Sequence, residues 1–396
     1  MKIRFLLHDL YGRGGGVVTV TLALAEELAR RHEVELVSLF GDDRRPVHPL
    51  PAGVPATTLI QREVDREGGL RRGSCAWAMR RPSSIIPKAE PRYARYSLYS
   101  DLVLARYLGS MRGGALVTMQ PGLNIASARL GSTRCARLAQ DHRPVAKRPR
   151  GVLEGYRRHA GGLDSLLALT RSDTEHLQRL VGDRVAVHEM PNGAPNYDGP
   201  LSEHTNKTVL AAGRLSHTKG FDVLIAAWVH VAEKHPDWQL QICGEGELRS
   251  ELRRQIIDLG LQRHVHLVGY RTHLQEDMSR ASIFVLSSRA EGYPRVILEA
   301  MACGVPVIST DCPSGPREMI SPGVDGLLVP SQDPEALGAA VNELIGLGPE
   351  PRSRMGSAGL STARERSQSV VAERWESLLA DLVEAREAPA RRVLHH

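Results

Sequence analysis

The chain has 396 residues, 42% of them hydrophobic and 24% charged, with a formal net charge of +6. That length suffices for two domains with separate cores, and the balance is that of a soluble globular protein. No apolar run reaches the roughly 20 residues a transmembrane helix needs, and the start MKIRFLLHDLYGRGGG reads as a strand and a turn, not a cleaved leader.

Residues 2–7 form the first expected strand. A loop with Gly12, Gly14, Gly15 and Gly16 follows, then an amphipathic helix over 17–31 and a second strand over 34–39. The spacing Gly12-x-Gly14-x-x-Val17 lacks the third glycine of a dinucleotide fingerprint, although Asp42 or Asp43 stands where a ribose acid would. The same glycines also suit a close approach of backbone to a phosphate or sugar, or a tight turn alone.

Residues 41–100 give no clear period and read as short helices and loops, basic over 62–95. A helix over 102–108, a strand over 115–119 and a helix over 124–131 come next. The strand at 135–139 runs into Gln140-Asp141-His142, so His142 stands just past a strand's C-terminal end, where α/β sheets place ligands. A basic tract over 143–159 follows, then a strand over 165–170. Ser172 and Glu175 have capping-box spacing at the start of a helix, with a strand over 185–189 beyond it. The Pro/Gly-rich stretch 191–200 reads as a linker.

The second half restarts the rhythm. Strands are expected over 208–211, 239–243, 265–268, 283–286, 305–308 and 326–329, and helices over 221–234, 248–259, 294–303, 334–345 and 367–387. Arg214 and Lys219 flank a Gly-containing loop between a strand and a helix, a pair suited to a diphosphate or simply solvated. Glu291 falls in the loop after strand 283–286 and Glu299 on the next helix, among Val296, Ile297, Leu298 and Ala300. If the sheet is parallel, both loops open on its C-terminal edge.

Charge divides unevenly. Residues 1–200 hold 30 Lys/Arg against 20 Asp/Glu (+10), and the remainder 21 against 25 (−4). A basic first half fits a phosphorylated or polyanionic partner or an anionic membrane surface, and equally an Arg-rich solvated face. Cys75, Cys135, Cys243, Cys303 and Cys312 are scattered without a CxxC, which points to a reduced cytoplasmic setting and away from a metal cluster.

Together the stretches GRLSHTKGFDVLIAAW (213–228), CGEGEL (243–248), VHLVGY (265–270), EGYPRVILEAMACGVPVIST (291–310), GPRE (315–318) and DGLLVP (325–330) resemble the retaining glycosyltransferases of family 4. In the first half the resemblance rests on the Gly-rich loop, His142 and PNGA (191–194). It implies a GT-B fold, α/β, with two Rossmann-like domains facing each other across a cleft. Residues 1–195 would be the acceptor domain, with a helix at about 368–388 packing back on it, and 200–367 the donor domain.

The resemblance further implies the roles. Arg214 and Lys219 bind the donor diphosphate and offset leaving-group charge. Glu299 holds the ribose, Glu291 contacts the donor sugar, and Gly292, Tyr293 and Pro294 offer backbone beside it. Gly15 and Gly16 approach the phosphates, His142 touches the sugar near the reacting carbon, and Gly269 and Tyr270 lie where the base is recognised. Gly315 and Glu318 match a GG-x-x-E turn in which Ser314 replaces the first glycine. No metal or other cofactor is implied; a nucleoside diphosphate sugar, UDP before GDP, is the co-substrate. The acceptor would be a glycan, lipid-linked or polyol-phosphate hydroxyl, with an anionic acceptor and peripheral contact with an anionic membrane both open, and with no nucleic acid. Three readings compete, one of them a catalytically silent nucleotide-sugar binder. A nucleotide-sugar epimerase shares the fold, and an NAD-dependent oxidoreductase uses the first Gly-rich turn but leaves the second-half motifs unexplained.

Overall fold

A computed structural model describes residues 1–11, 16–41, 46, 48–61 and 76–391. Gly12, Gly14, Gly15, Asp42, Asp43 and Cys75 therefore lie outside the described residues. The chain divides into two compact units. One comprises Met1–Pro191 with the C-terminal segment from Gln368, and the other Asn192–Ser367.

The first unit carries seven strands: β1 (Lys2–Asp9), β2 (Glu33–Gly41), β3 (Ala56–Gln61), β4 (Ala115–Thr118), β5 (Ala136–Gln140), β6 (Ser165–Ala168) and β7 (Ala186–Glu189). They lie side by side in the order β3-β2-β1-β4-β5-β6-β7, each pair parallel. The chain lays β1 to β3 in one direction and then returns to build β4 to β7 on the other side. The switch point thus falls between β1 and β4. β4, β5 and β6 are buried along their whole length, as parallel strands covered by helices on both faces must be.

The helix Gln368–Arg391 closes this unit. Val371, Ala372, Trp375, Leu379 and Val383 enter its core, and the Trp375 ring meets Phe5 edge-on at 6.3 Å. On its solvent side Glu376 pairs with Arg31 at 2.7 Å and His32 at 2.8 Å.

The second unit has β8 (Thr208–Ala212), β9 (Gln239–Cys243), β10 (Val265–Gly269), β11 (Ile283–Leu286), β12 (Val307–Thr310) and β13 (Gly326–Val329). Their order is β10-β9-β8-β11-β12-β13, again all parallel. β8 and β11 are direct neighbours, with Ile283 opposite Val209 and Phe284 opposite Leu210. The loops leaving these two strands therefore begin side by side at the switch point.

Several expectations are corrected. The helix after β6 starts at Arg171, capped by Thr170, whose hydroxyl accepts from the Asp173 N–H at 3.1 Å; Ser172 and Glu175 are not its capping pair. The strand expected over 305–308 begins at Val307, because Pro306 has no N–H for a ladder. The helices Leu274–Ser279 and Pro349–Glu365 and the strand β3 were not anticipated. The first unit ends at Pro191, so Asn192, Gly193 and Ala194 belong to the second.

Candidate functional site: the switch point of the second unit

The loop after β8 runs through Gly213, Arg214 and Lys219 to Gly220, which adopts φ +64° just before the helix Phe221–Lys234. A side chain at Gly220 would collide with the Ser287 carbonyl at the end of β11. Only glycine permits the two loops to come this close. The Lys219 stem crosses Gly213, with Cδ and Cε 3.3 Å from where a Cβ would sit.

The approach brings Lys219 and Glu291 together. Lys219 Nζ donates to Glu291 Oε1 at 2.5 Å, and Ser288 Oγ donates to the same oxygen at 2.5 Å. The two side chains are 24% and 12% exposed, so the pair is partly shielded yet open to a ligand. Ser287 Oγ donates to the Lys219 carbonyl at 2.9 Å and Thr310 Oγ1 to the Ser288 carbonyl at 2.6 Å. Arg214, next to Gly213, is exposed and forms no ion pair among the described residues.

Arg289 locks the loops. Its guanidinium grips Asp222, in the first turn of the helix after Gly220, through two bonds of 2.8 and 2.6 Å, and donates to the His217 carbonyl at 2.8 Å. This bidentate partner holds the Asp222 carboxyl below its ordinary range. Sequence reasoning missed Arg289, Asp222 and Ser288. The available signal was an Arg directly after the strand, two residues before Glu291.

The loop after β12 forms a third wall. Ser314 and Gly315 adopt φ +69° and +38°, and a Cβ on Gly315 would lie 2.7 Å from the Gly292 carbonyl and 2.6 Å from Pro294 Cδ. This packing sets Gly292, Tyr293 and Pro294 at the mouth of the helix Arg295–Ala302, whose N-terminus no side chain caps. Buried Cys312 stands close enough to Glu291 that burial and the carboxylate push its thiol up to about 12.

Glu299 lies a turn along the helix. Burial raises its carboxyl, and Arg295, 3.8 Å away, partly offsets this. It lines a pocket of about 310 Å³ with Tyr197, Thr272, His273, Gln275 and Glu276. β10, which leads into this wall, ends at Gly269, φ +82°, and the segment after it opens with Tyr270, 68% exposed. Arg214, Lys219, Glu291, Gly292, Tyr293, Pro294, Glu299, Gly269 and Tyr270 thus all stand at the C-terminal edge of one sheet. Among the described residues no three His, Cys, Asp or Glu side chains converge as a metal-ligand set.

The remaining candidates belong to the first unit. Gly16 opens the helix Gly16–Ala29, and a Cβ built there would meet nothing within 4 Å among the described residues; Gly15 is not described. His142 follows β5. Its Nε2 is buried without a partner, and desolvation lowers its pKa to about 4, so the ring is neutral at physiological pH. Beside it, Asp141 is gripped by Arg148 and accepts from Tyr156 Oη at 3.1 Å and from the Arg143 N–H at 3.1 Å.

These features define a class: paired doubly wound α/β units with a cationic and carboxylate-bearing switch point. Residues 197–362 match the family model "Glycosyl transferases group 1". The chain is 34% identical over 400 residues to an exopolysaccharide phosphotransferase of Streptomyces coelicolor, covering 99% of this chain and 42% of that protein. It is 24% identical over 392 residues to a Campylobacter jejuni GalNAc-α-(1→4)-GalNAc-α-(1→3)-diNAcBac-PP-undecaprenol α-1,4-N-acetyl-D-galactosaminyltransferase, covering 97% of this chain and all of that one. The chain spans half or less of the length of the first curated relatives it matches. Among solved structures, TarM of S. aureus, in a complex with Fondaparinux, α-GlcNAc-glycerol and UDP, superposes with a TM-score of 0.75 at 14% identity over 96% of this chain and 99% of that one. The fold is GT-B. No helix among the described residues is long and apolar enough to cross a membrane.

Proposed function

We propose that the chain is a retaining, family 4 glycosyltransferase. It moves a hexose-type sugar from a nucleoside diphosphate sugar, UDP before GDP, to a hydroxyl of a glycan, lipid-linked or polyol-phosphate acceptor in the cytoplasm. The observation that carries this reading is the Lys219–Glu291 pair across the switch point, with Arg214 exposed on the loop that carries Lys219 and without an ion pair among the described residues.

The chemistry follows from charge. Breaking the donor's C1–O bond leaves positive charge on the sugar and negative charge on the diphosphate. Arg214 and Lys219 bind the departing oxygens and stabilise that separation, so two side chains carry the diphosphate charge without a metal. Glu291 orients Lys219 and meets the sugar hydroxyls. The uncapped N-terminus of the helix at Arg295 faces the diphosphate, Glu299 takes the ribose, and the segment at Gly269 and Tyr270 the base. A UDP complex of a protein with the same fold supports the choice of base.

The phosphotransferase name of the 34% relative keeps one rival in view, transfer of a sugar phosphate. Product analysis separates the two, because glycosyl transfer releases UDP and sugar-phosphate transfer releases UMP. The full chain is incubated with UDP-sugars and glycan or glycerol-phosphate acceptors, with chromatography for the nucleotide and NMR for the new anomeric centre. UDP with retained configuration supports the proposal. UMP, inversion, or epimerised donor without acceptor refutes it.

A further inference from the structure

The second unit carries a groove at the edge of its sheet opposite the donor loops. Asn206 leads into β8 and Arg280 into β11, so both stand at the N-terminal ends of their strands. With Tyr197, Pro200, Leu201 and Glu203 they line a cavity of about 550 Å³. A second cavity of about 360 Å³ shares Tyr197, Gly199 and Leu201 with it and adds Asp198 and Arg364. The two cavities therefore meet along the ridge 197–201.

Local bonds fix that ridge. Tyr197 Oη donates to the Pro200 carbonyl at 3.2 Å, and the ring lies over Gly199, where a side chain would collide with it. Just beyond, Ser202 Oγ donates to the Ala281 carbonyl at 2.6 Å and the Ser202 N–H to the Cys303 carbonyl at 3.0 Å. Asn206 Nδ2 donates to the Arg280 carbonyl at 2.8 Å. Leu201 still keeps 47% of its surface in solvent. On the two flanks, the exposed side chains of Glu203, Arg280, Asp198 and Arg364 form no hydrogen bond or ion pair among the described residues.

The charges decide what fits. Two carboxylates, Glu203 and Glu276, and one guanidinium line the larger cavity, and one of each lines the smaller, so neither cavity draws an anion. A sugar ring carries hydroxyls that donate to carboxylates and accept from guanidinium groups, and C–H faces that cover apolar side chains. An apolar ridge between two rows of free polar groups meets both halves of that chemistry. We propose that this groove binds a neutral glycan chain, its ring faces on Tyr197 and Leu201 and its hydroxyls on Glu203, Arg280, Asp198 and Arg364. It lies behind the Glu299 pocket, with which it shares Tyr197 and Glu276. In an enzyme that extends glycans, a chain held here stays on the protein between turnovers. That role rests on the glycosyltransferase reading, whereas the binding itself does not.

The test titrates the full chain with maltotetraose, cellotetraose and chitotetraose by calorimetry, with tetragalacturonate as the anionic comparator, each with and without saturating UDP. At least one neutral tetrasaccharide binds in both conditions, and tetragalacturonate binds at least about tenfold more weakly. Glu203→Ala and Arg280→Ala, both at exposed positions, each weaken the neutral glycan by about tenfold, the loss of a hydrogen bond to a charged group, and leave UDP binding and the melting curve unchanged. Tyr197 and Glu276 are left intact because both also line the Glu299 pocket. No binding of any neutral tetrasaccharide at about 10 mM, or binding that neither variant weakens, overturns the groove and leaves the donor reading standing. Absence of UDP binding in wild type refutes the donor reading separately.

Discussion

Lys219 Nζ and Glu291 Oε1, 72 residues apart in sequence, lie 2.5 Å apart because β8 and β11 are neighbours in the sheet. The contact is a consequence of topology. A doubly wound sheet lays its fourth strand beside its first, and the loops leaving those two strands must share the ground between them. Gly220 then removes the last obstacle to close approach.

Arg289 is expected to act through position and not by touching substrate. Arg289→Ala removes both bonds to Asp222 and the one to the His217 carbonyl. The cost in stability is about 1 kcal/mol, since Asp222 is 39% exposed and solvent screens the pair. The loss in turnover is larger, roughly tenfold to a hundredfold, because the Lys219 loop is no longer held in register. Chemical denaturation and steady-state kinetics check the two numbers; equal losses in stability and rate, or unchanged turnover, would count against a positioning role.

Ser314 holds a left-handed backbone that glycine adopts without cost. Ser314→Gly relieves that strain and is expected to gain about 1 kcal/mol, offset by the greater freedom of glycine in the unfolded chain. Donor affinity stays within about twofold, since the wall at Gly292–Pro294 is set by Gly315. A lower midpoint in guanidinium chloride would show that the serine side chain contributes more than its backbone costs.

His142 makes stability depend on pH. Its pKa falls from 6.5 to about 4 on folding because the buried ring resists charge. A depressed folded-state pKa means the contribution is whole above pH 6.5 and is lost as pH falls from there through about 4. Wild type should therefore lose stability over this window faster than His142→Phe, by denaturant titration at each pH. Parallel curves would place the ring in contact with water.

The second sheet was legible because its strands are short and rich in apolar residues, and most of them adjoin a glycine or proline. The expected bounds of Phe221–Lys234, Gln239–Cys243, Ile283–Leu286 and Gly326–Val329 match the structure residue for residue. The alternation of these strands with helices places the loops that follow the strands on one sheet edge. What stayed hidden depends on partners distant in sequence. β3 is an edge strand whose residues are mostly part-exposed, so its register with β2 decides it and its own pattern does not. The helix Pro349–Glu365 has no apolar stripe; it buries Gly356 against the Gly304 carbonyl and sends Arg352 to the carbonyls of Leu344, Ile345 and His204. The cap at Thr170 displaces the one expected at Ser172 because Asp173 also accepts from the Val145 N–H at 2.8 Å, a bond only the folded chain can make. Arg289 is a loop arginine like many others until Asp222, 67 residues earlier, comes within reach.

The central claim is that the Lys219–Glu291 pair stabilises a departing nucleoside diphosphate. The most direct measurement is the rate of UDP release from a UDP-sugar with acceptor, for wild type, Lys219→Ala and Glu291→Ala, each with its melting curve. Both variants are expected to lose about a hundredfold to a thousandfold in kcat while unfolding as cooperatively as wild type. Turnover unchanged in either folded variant would contradict the account.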